Sequence, residues 1–229
     1  MQKVAGAMSD LARILAGVLA ENLGFPGNCF TENFSKSTCF LRLNRYPPCP
    51  FLPGTFGLMP HTDSDFLTIL HQDHVGGLQL MKDSKWVAVK PNPSALIVNI
   101  GDLFQAWSND VYKSVEHKVM TNRMVERYSI AYFLCPSYES TIGSCKEPSH
   151  YKKFTFKEFR NQVQEDVKRT GYKARLSEIP HGTYFLAVKD DEDTIKVQDL
   201  PHPPAVFLTK YKEWLGLEQQ LVANCKAYS

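Results

Sequence analysis

The stretch from Cys39 to Pro136 consists of short apolar runs that alternate with turn-forming segments, and this spacing restricts the fold more than any other feature. Strand-like composition and length characterise seven runs: CFLRLNRY, FLTILHQ, GLQLMK, KWVAVKP, ALIVNIG, SVEHKVM and RYSIAYFL. Turn residues dominate the segments between them: PPCPFLPGTFG, DHVGG, KDSK, PNPS and MTNRM. Many closely spaced strands with little intervening helix are typical of antiparallel sandwiches, jelly rolls and barrels. We therefore predict a mainly β fold with flanking helices and a jelly-roll core.

Helical patterns flank this β region. Near the N-terminus apolar residues recur at helical spacing, at Val4, Met8, Leu11, Leu15, Val18 and Leu19. We expect an amphipathic helix that packs on the β core and ends near Gly24 and Pro26. Asp10 and Arg13 interrupt its apolar run, so neither a secretory signal nor a membrane span is expected.

A second helix is predicted in FTFKEFRNQVQEDVKRTGYKA. Thr155 is placed as its N-cap, and Glu158, three residues later, completes a capping box. Gly171 is placed to end this helix.

These patterns divide the chain into four segments. We assign residues 1–38 to a helix and connector on the barrel, 39–148 to the jelly-roll core, 149–180 to the C-terminal helix and 181–229 to an extension of unknown role.

Charge and cysteine content argue against several classes of protein and of binding site. Lys and Arg number 26 against 24 Asp and Glu, and a net charge of +2 is not typical of a nucleic-acid-binding protein. The six cysteines include no CxxC pair, which argues against a zinc knuckle or a thioredoxin-type site. We expect a cytoplasmic monomer with free thiols, a small-molecule substrate, and neither a nucleic-acid nor a membrane partner.

His61 and Asp63 stand two residues apart, which on a strand places both side chains on one face. A second histidine, His117, lies in another strand-like run. Two histidines and a carboxylate on one side of a metal leave coordination positions open, as oxygen-activating Fe(II) requires. Zinc suits the same ligands, although no glutamate base is obvious nearby. On these residues alone, a surface His61 and a purely structural His117 are the commoner situation.

Arg127 and Ser129 share one face of a later strand-like run. A guanidinium fork beside a hydroxyl suits a buried carboxylate. An ion pair between Arg127 and Glu126, or another surface acid, is the usual alternative.

Linked motifs run along the chain: LRLNRYPPCP, MPHTDSDFLTILHQDHVGGLQL, VKPNPSALIVNIGDLFQAWSND, YKSVEHKV and RYSIAYFLCP. Together they resemble the plant 2-oxoglutarate/Fe(II) dioxygenases of hormone and flavonoid metabolism, over about residues 10–180. Within that family LNRYPPCP, HTDSDFLTIL and AWSNDVYKSVEHKV are most similar to the gibberellin 2-oxidases, particularly the class acting on C20 gibberellins. The resemblance implies a double-stranded β-helix (cupin-like) core.

The resemblance also implies roles for individual residues. The iron ligands would be His61, Asp63 and His117, and the 2-oxoglutarate (2OG) contacts would be Arg127, Ser129, Tyr46 and Asn44. Arg42 is a candidate for a substrate carboxylate and Phe133 for its apolar skeleton, although a solvated arginine and a core phenylalanine are the plain alternatives. Trp107 and Phe66 are weaker apolar candidates, and His71 and His74 are expected to be loop histidines.

The implied activity is hydroxylation of a gibberellin-like diterpenoid acid at C2, with Fe(II), 2OG and O2, giving succinate and CO2. The same chemistry on a flavonoid or other specialised metabolite is one alternative. Members of the family carry an N-terminal segment ahead of the first helix and end near LSEIP, so a truncated, non-catalytic dioxygenase fold is another.

Overall fold

Two antiparallel sheets face each other in the computed structural model, which describes residues 1–29, 38–50, 54–171, 173 and 206–208. The helices are α1 (Gln2–Glu21), α2 (Asp102–Trp107) and α3 (Phe156–Thr170). The strands are β1 (Phe40–Tyr46), β2 (Phe56–His61), β3 (Leu67–Gln72), β4 (Leu78–Lys82), β5 (Lys85–Ala88), β6 (Leu96–Ile100), β7 (His117–Met120), β8 (Arg127–Leu134), β9 (Thr141–Ile142), β10 (Phe154–Thr155) and β11 (Val206–Leu208). All seven predicted strand runs are strands.

The larger sheet has the order β1-β8-β3-β6-β11 and the smaller one the order β2-β7-β4-β5, with β9 and β10 forming a separate pair. Neighbouring strands are antiparallel throughout. Two facing antiparallel sheets are the arrangement of a jelly roll. The predicted mainly β fold with flanking helices is confirmed.

Apolar side chains fill the space on both sides of the larger sheet. Between the sheets lies an inner cluster of Tyr46, Leu70, Leu78, Val89, Ile97, Val119 and Ala131. On the opposite side, Leu67, Ile69 and Leu134 pack against the helices in a second apolar cluster, the outer core. Every residue of β3 is buried, because this central strand is covered on both faces.

Helix α1 contacts β3 and β8 through a face of small residues. Its buried side chains recur every four positions, at Val4, Met8, Ala12, Ala16 and Ala20. The predicted stripe is therefore partly wrong: Leu11, Leu15 and Leu19 are only partly buried, and Val18 is 47% exposed. Alanines allow the helix backbone to approach the sheet closely, so the larger residues lie at the margins of the contact.

Sequence patterns did not predict α2 or the first part of β2. Helix α2 has only six residues, too few to show a helical period. Strand β2 contains Gly57 and Pro60, and its pairing with β7 shifts register on both sides of Leu58. Irregular pairing of this kind removes the simple alternation that marks a strand.

The predicted boundaries of α3 are confirmed. The Glu158 amide donates to Thr155 Oγ1 over 3.2 Å, and the Thr155 amide donates to Glu158 Oε2 over 2.7 Å, which completes the capping box. Gly171 ends the helix in the left-handed conformation with φ of 82°. Phe156 and Phe159 bury the helix against the outer core.

Within the predicted extension 181–229, the structure describes β11, which pairs antiparallel with β6; its other residues lie outside the described part. The five described cysteines are free: Cys29, Cys39, Cys49, Cys135 and Cys145. Among the described helices, none combines the length and apolar character needed to cross a bilayer.

Replacing Thr155 by alanine tests the capping box. We expect the free energy of unfolding to fall by about 1 kcal/mol, because the Glu158 amide loses its acceptor at the start of α3. Urea unfolding of Thr155→Ala and Thr155→Ser measures this change. A serine variant that is destabilised as much as the alanine variant would contradict the role of the hydroxyl.

Candidate metal centre

A cavity of about 270 Å³ lies between the two sheets. It is lined by every residue assigned to a site from the sequence: His61, Asp63, His117, Arg127, Ser129, Tyr46, Asn44, Arg42 and Phe133. The structure therefore brings all the candidate side chains together, although they come from four strands and a loop.

Two histidines and an aspartate form one end of the cavity. His61 ends β2 and His117 begins β7, and the two residues are direct partners across these strands. Asp63 follows two residues after β2, and its Oδ1 lies 3.8 Å from His61 Nε2 and 3.6 Å from His117 Nε2. One ligand atom from each side chain lies within 4.8 Å of the others, which is compact enough to surround one ion.

The Nδ1 atom of each histidine is engaged by the backbone. His61 Nδ1 lies 2.7 Å from the carbonyl oxygen of Met59, and His117 Nδ1 lies 3.1 Å from that of Val115. Donation from Nδ1 to a carbonyl leaves the Nε2 lone pair free, and both Nε2 atoms point toward Asp63. The donor set therefore fits a metal ion held by two imidazoles and one carboxylate.

Burial and mutual charge favour the protonation state that a metal needs. Burial, together with the charge of His117, lowers the pKa of His61. Burial alone would raise the pKa of Asp63, but the charges of His117, His61 and Lys173 and the hydrogen bond from Thr68 together outweigh it and lower that pKa. A neutral imidazole and an ionised carboxylate are the forms that bind metals.

The segment from Asp63 to Asp65 is anchored by the start of α2. The amides of Asp102 and Leu103 donate to the carbonyls of Asp63 and Asp65 over 2.9 and 3.1 Å. A Cβ atom at Gly101 would collide with the Asp65 carbonyl, so this close approach requires glycine. The short helix that the sequence did not predict thus holds a metal-ligand segment in place.

Arg127 lies on the same cavity with two unused donors. Its side chain is 1% exposed, and Nη2 donates to Gln72 Oε1 over 2.9 Å. Within the described part of the chain, Nε and Nη1 have no hydrogen-bond partner. Burial lowers the pKa of Arg127, but a guanidinium remains charged in a protein.

The alternative of an ion pair between Arg127 and Glu126 is wrong. Glu126 pairs instead with Arg45 at 3.0 Å on the surface. Arg45 and Arg127 lie on opposite faces of the β1–β8 ladder, so only Arg127 is turned toward the cavity.

A single ladder of strand pairs sets the positions of the remaining candidates. Four cavity-facing residues of β1 lie opposite four of β8, as the pairs Tyr46–Arg127, Asn44–Ser129, Arg42–Ala131 and Phe40–Phe133. Asn44 Nδ2 donates to Ser129 Oγ over 3.3 Å, and the Tyr46 ring lies 5.0 Å from the Arg127 guanidinium carbon. The face-sharing predicted from the two-residue period thus extends across both strands.

The end of the ladder away from Arg127 carries two stacked aromatic rings, and two arginines line the same cavity. Phe40 and Phe133 stack with ring centroids 4.4 Å apart. Arg42 is exposed on β1, and Arg160 reaches the same cavity from α3. Neither arginine forms an ion pair with a residue of the described ranges. Arg160 was not identified from the sequence, since the tertiary packing of α3 on the rest of the fold determines its place.

Lys173 was also missed. It pairs with the buried carboxylate of Asp102 and donates to the Thr62 carbonyl over 2.8 Å. The side chains of Lys173 and Asp102 are 9% and 2% exposed, so this ion pair ties the chain after α3 to the metal-ligand segment.

The weaker candidates lie elsewhere. Phe66 and Trp107 belong to the outer core beneath the helices, so they do not contact the cavity. The prediction that His71 is a loop residue is wrong: it lies in β3 with Nε2 2.9 Å from the Pro93 carbonyl oxygen. His74 is exposed outside the strands. Neither histidine joins the metal cluster.

Comparison with known proteins agrees with this geometry. Gibberellin 2-beta-dioxygenase 8 of Arabidopsis thaliana is 60% identical over 184 residues, which cover 80% of this chain and 54% of that protein. Gibberellin 2-beta-dioxygenase 6 of Oryza sativa subsp. japonica is 62% identical over 183 residues, or 77% of this chain and 51% of that protein. The chain thus spans about half the length of these relatives.

A similar solved structure is that of JOX2 in complex with 2OG, Fe and JA, which is 36% identical. It superposes with a TM-score of 0.67 and covers 78% of this chain and 55% of the JOX2 chain. Residues 37–136 match the 2OG-Fe(II) oxygenase superfamily. This part of the chain is thus a 2OG-Fe(II) oxygenase domain.

Proposed function

We propose that this chain is a 2OG- and Fe(II)-dependent dioxygenase that hydroxylates a gibberellin at C2, using O2 and giving succinate and CO2. The names of the two similar gibberellin 2-beta-dioxygenases support the substrate, and the cavity supports the chemistry. We further propose that it works as a cytoplasmic monomer on a small molecule.

The unpaired donors of Arg127 carry this proposal. Buried N–H donors without an acceptor are unfavourable, so Nε and Nη1 call for an acceptor that enters the cavity. A carboxylate accepts two parallel N–H bonds from one guanidinium. The distal carboxylate of 2OG meets this requirement, with Ser129 and Tyr46 beside it.

The other cavity residues have separate proposed roles in binding the metal and orienting the reacting groups. His61, Asp63 and His117 would hold Fe(II) through three ligand atoms, and bound Fe(II) would supply the activation of O2, with 2OG as the electron donor. Arg127 fixes the cosubstrate from the opposite end. The buried walls, including Leu70, orient the reacting groups and keep bulk water away.

The outer cavity favours an apolar acid. Phe40 and Phe133 offer an apolar wall, and Arg42 and Arg160 offer cations without described acidic partners. A gibberellin carries a carboxylate on an apolar skeleton and satisfies both features. A neutral flavonoid would leave both guanidinium groups without a carboxylate.

Succinate formation tests the function. We expect iron-loaded protein to form succinate from 2OG faster when a C20 gibberellin is added. The variant His117→Ala is expected to lose metal binding and turnover, because one of three ligands is removed. A flavonol at the same concentration serves as the control substrate. Absence of succinate from protein that still binds iron and 2OG would instead support a non-catalytic dioxygenase fold.

Arg127→Ala tests the cosubstrate site. We expect the KM for 2OG to rise by at least about 100-fold, because two charge-assisted hydrogen bonds worth about 1.5–3 kcal/mol each are lost. Arg45→Ala is the matched control, since Arg45 pairs with Glu126 on the surface. A KM that stays near the wild-type value in Arg127→Ala would show that Arg127 is structural.

Arg42→Gln and Arg160→Gln test the acidic substrate. Each variant is expected to raise the KM for the gibberellin acid about 10-fold, since each removes one charged contact, while the KM for 2OG stays unchanged. The comparison is the same measurement on the gibberellin methyl ester. Equal losses on acid and ester would contradict a carboxylate contact.

A further inference from the structure

We propose that Thr68 is a positioning residue that restrains Asp63 so that the carboxylate offers one oxygen, and not two, to the metal. This inference rests on the proposed iron site. It assigns a role to a cavity-lining side chain that would act on the metal through Asp63.

The two carboxylate oxygens of Asp63 have different surroundings. Oδ1 faces both histidine Nε2 atoms, at 3.8 and 3.6 Å. Oδ2 accepts a hydrogen bond from Thr68 Oγ1 over 2.7 Å and a longer one from Asn99 Nδ2 over 3.5 Å. The carboxylate is therefore oriented with one oxygen toward the metal position and the other toward the larger sheet.

The donors come from interior strands of the larger sheet. Thr68 on β3 lies directly opposite Asn99 on β6, and both side chains are buried, at 3% and 7% exposure. Strand β3 is paired on both sides, with β6 and β8. A hydroxyl fixed to such a strand can restrain a carboxylate that lies in a less regular segment.

The hydroxyl of Thr68 has two acidic neighbours. Asp65 Oδ2 lies 3.0 Å from Thr68 Oγ1, farther than the 2.7 Å to Asp63 Oδ2. A hydroxyl has one proton to donate. The shorter contact assigns that proton to Asp63.

Loss of this hydrogen bond would free the carboxylate to rotate. Both oxygens could then approach the metal, and the second would occupy a position that the facial arrangement leaves open for other ligands. Hydrogen-bonded partners of metal ligands typically contribute a factor of about 10–100 in metal affinity or activity. Thr68 is expected to act in this range.

Thr68→Val and Thr68→Ser provide the test. Valine keeps the shape and strand preference of threonine but lacks the hydroxyl, whereas serine keeps the hydroxyl. Under anaerobic conditions we expect Fe(II) to bind Thr68→Val about 10–100-fold more weakly than wild type, with Thr68→Ser near wild type. Mn(II) binding followed by electron paramagnetic resonance should show the same order in metal titrations without cosubstrate.

The matched control is Thr121→Val, because the Thr121 hydroxyl donates to the Thr55 carbonyl away from Asp63. We expect unchanged metal affinity there, and comparable melting temperatures for all metal-free variants. Wild-type affinity in Thr68→Val, or a serine variant as weak as the valine variant, would overturn the inference. Because no gibberellin is used, failure of the proposed substrate would leave these results unaffected.

Discussion

A buried arginine with unsatisfied donors is the constraint on which the rest of the cavity depends. Arg127 is enclosed between the sheets, yet only Nη2 has a partner in the described structure, the side chain of Gln72. An interior cation of this kind is tolerable when an anion completes it. Under the proposed function, the distal carboxylate of 2OG is this anion, and the same ligand would reach from Arg127 to the metal position. Arg127 would thus affect both the stability of the fold and the proposed binding of 2OG.

The metal end depends on a second set of restraints. Asp63 belongs to an irregular segment, where a side chain would ordinarily be poorly positioned. The amides at the start of α2 donate to the backbone carbonyls of Asp63 and Asp65, and Thr68 donates to Asp63 Oδ2. Lys173, which pairs with Asp102, donates to the carbonyl of Thr62. Three separate parts of the chain therefore contact the short segment 62–65. Such redundancy is expected where ligand positions must be held within a fraction of an ångström.

Sequence periodicity predicted the strands, the α3 capping box and the shared face of Arg127 and Ser129, because these follow from local backbone geometry. The motifs supplied the residues of the metal centre. What could not be predicted depends on tertiary packing: the six-residue α2 and the approach of Arg160 from a distant helix. The exposure of Val18 has the same origin, since hydrophobicity alone does not reveal that an alanine face makes the closer contact.

The β1–β8 ladder has a consequence for how such a protein can diversify. Its inner rungs, Tyr46–Arg127 and Asn44–Ser129, serve the proposed cosubstrate, whereas the outer rungs contain Arg42 and the stacked phenylalanines. Rungs on one face are two residues apart, so side chains at the outer end can change without altering backbone pairing at the inner end. A new substrate preference could be acquired by point substitution alone. A one-residue shift in the register of either strand, in contrast, would turn the cosubstrate-side and substrate-side residues of that strand away from the cavity together.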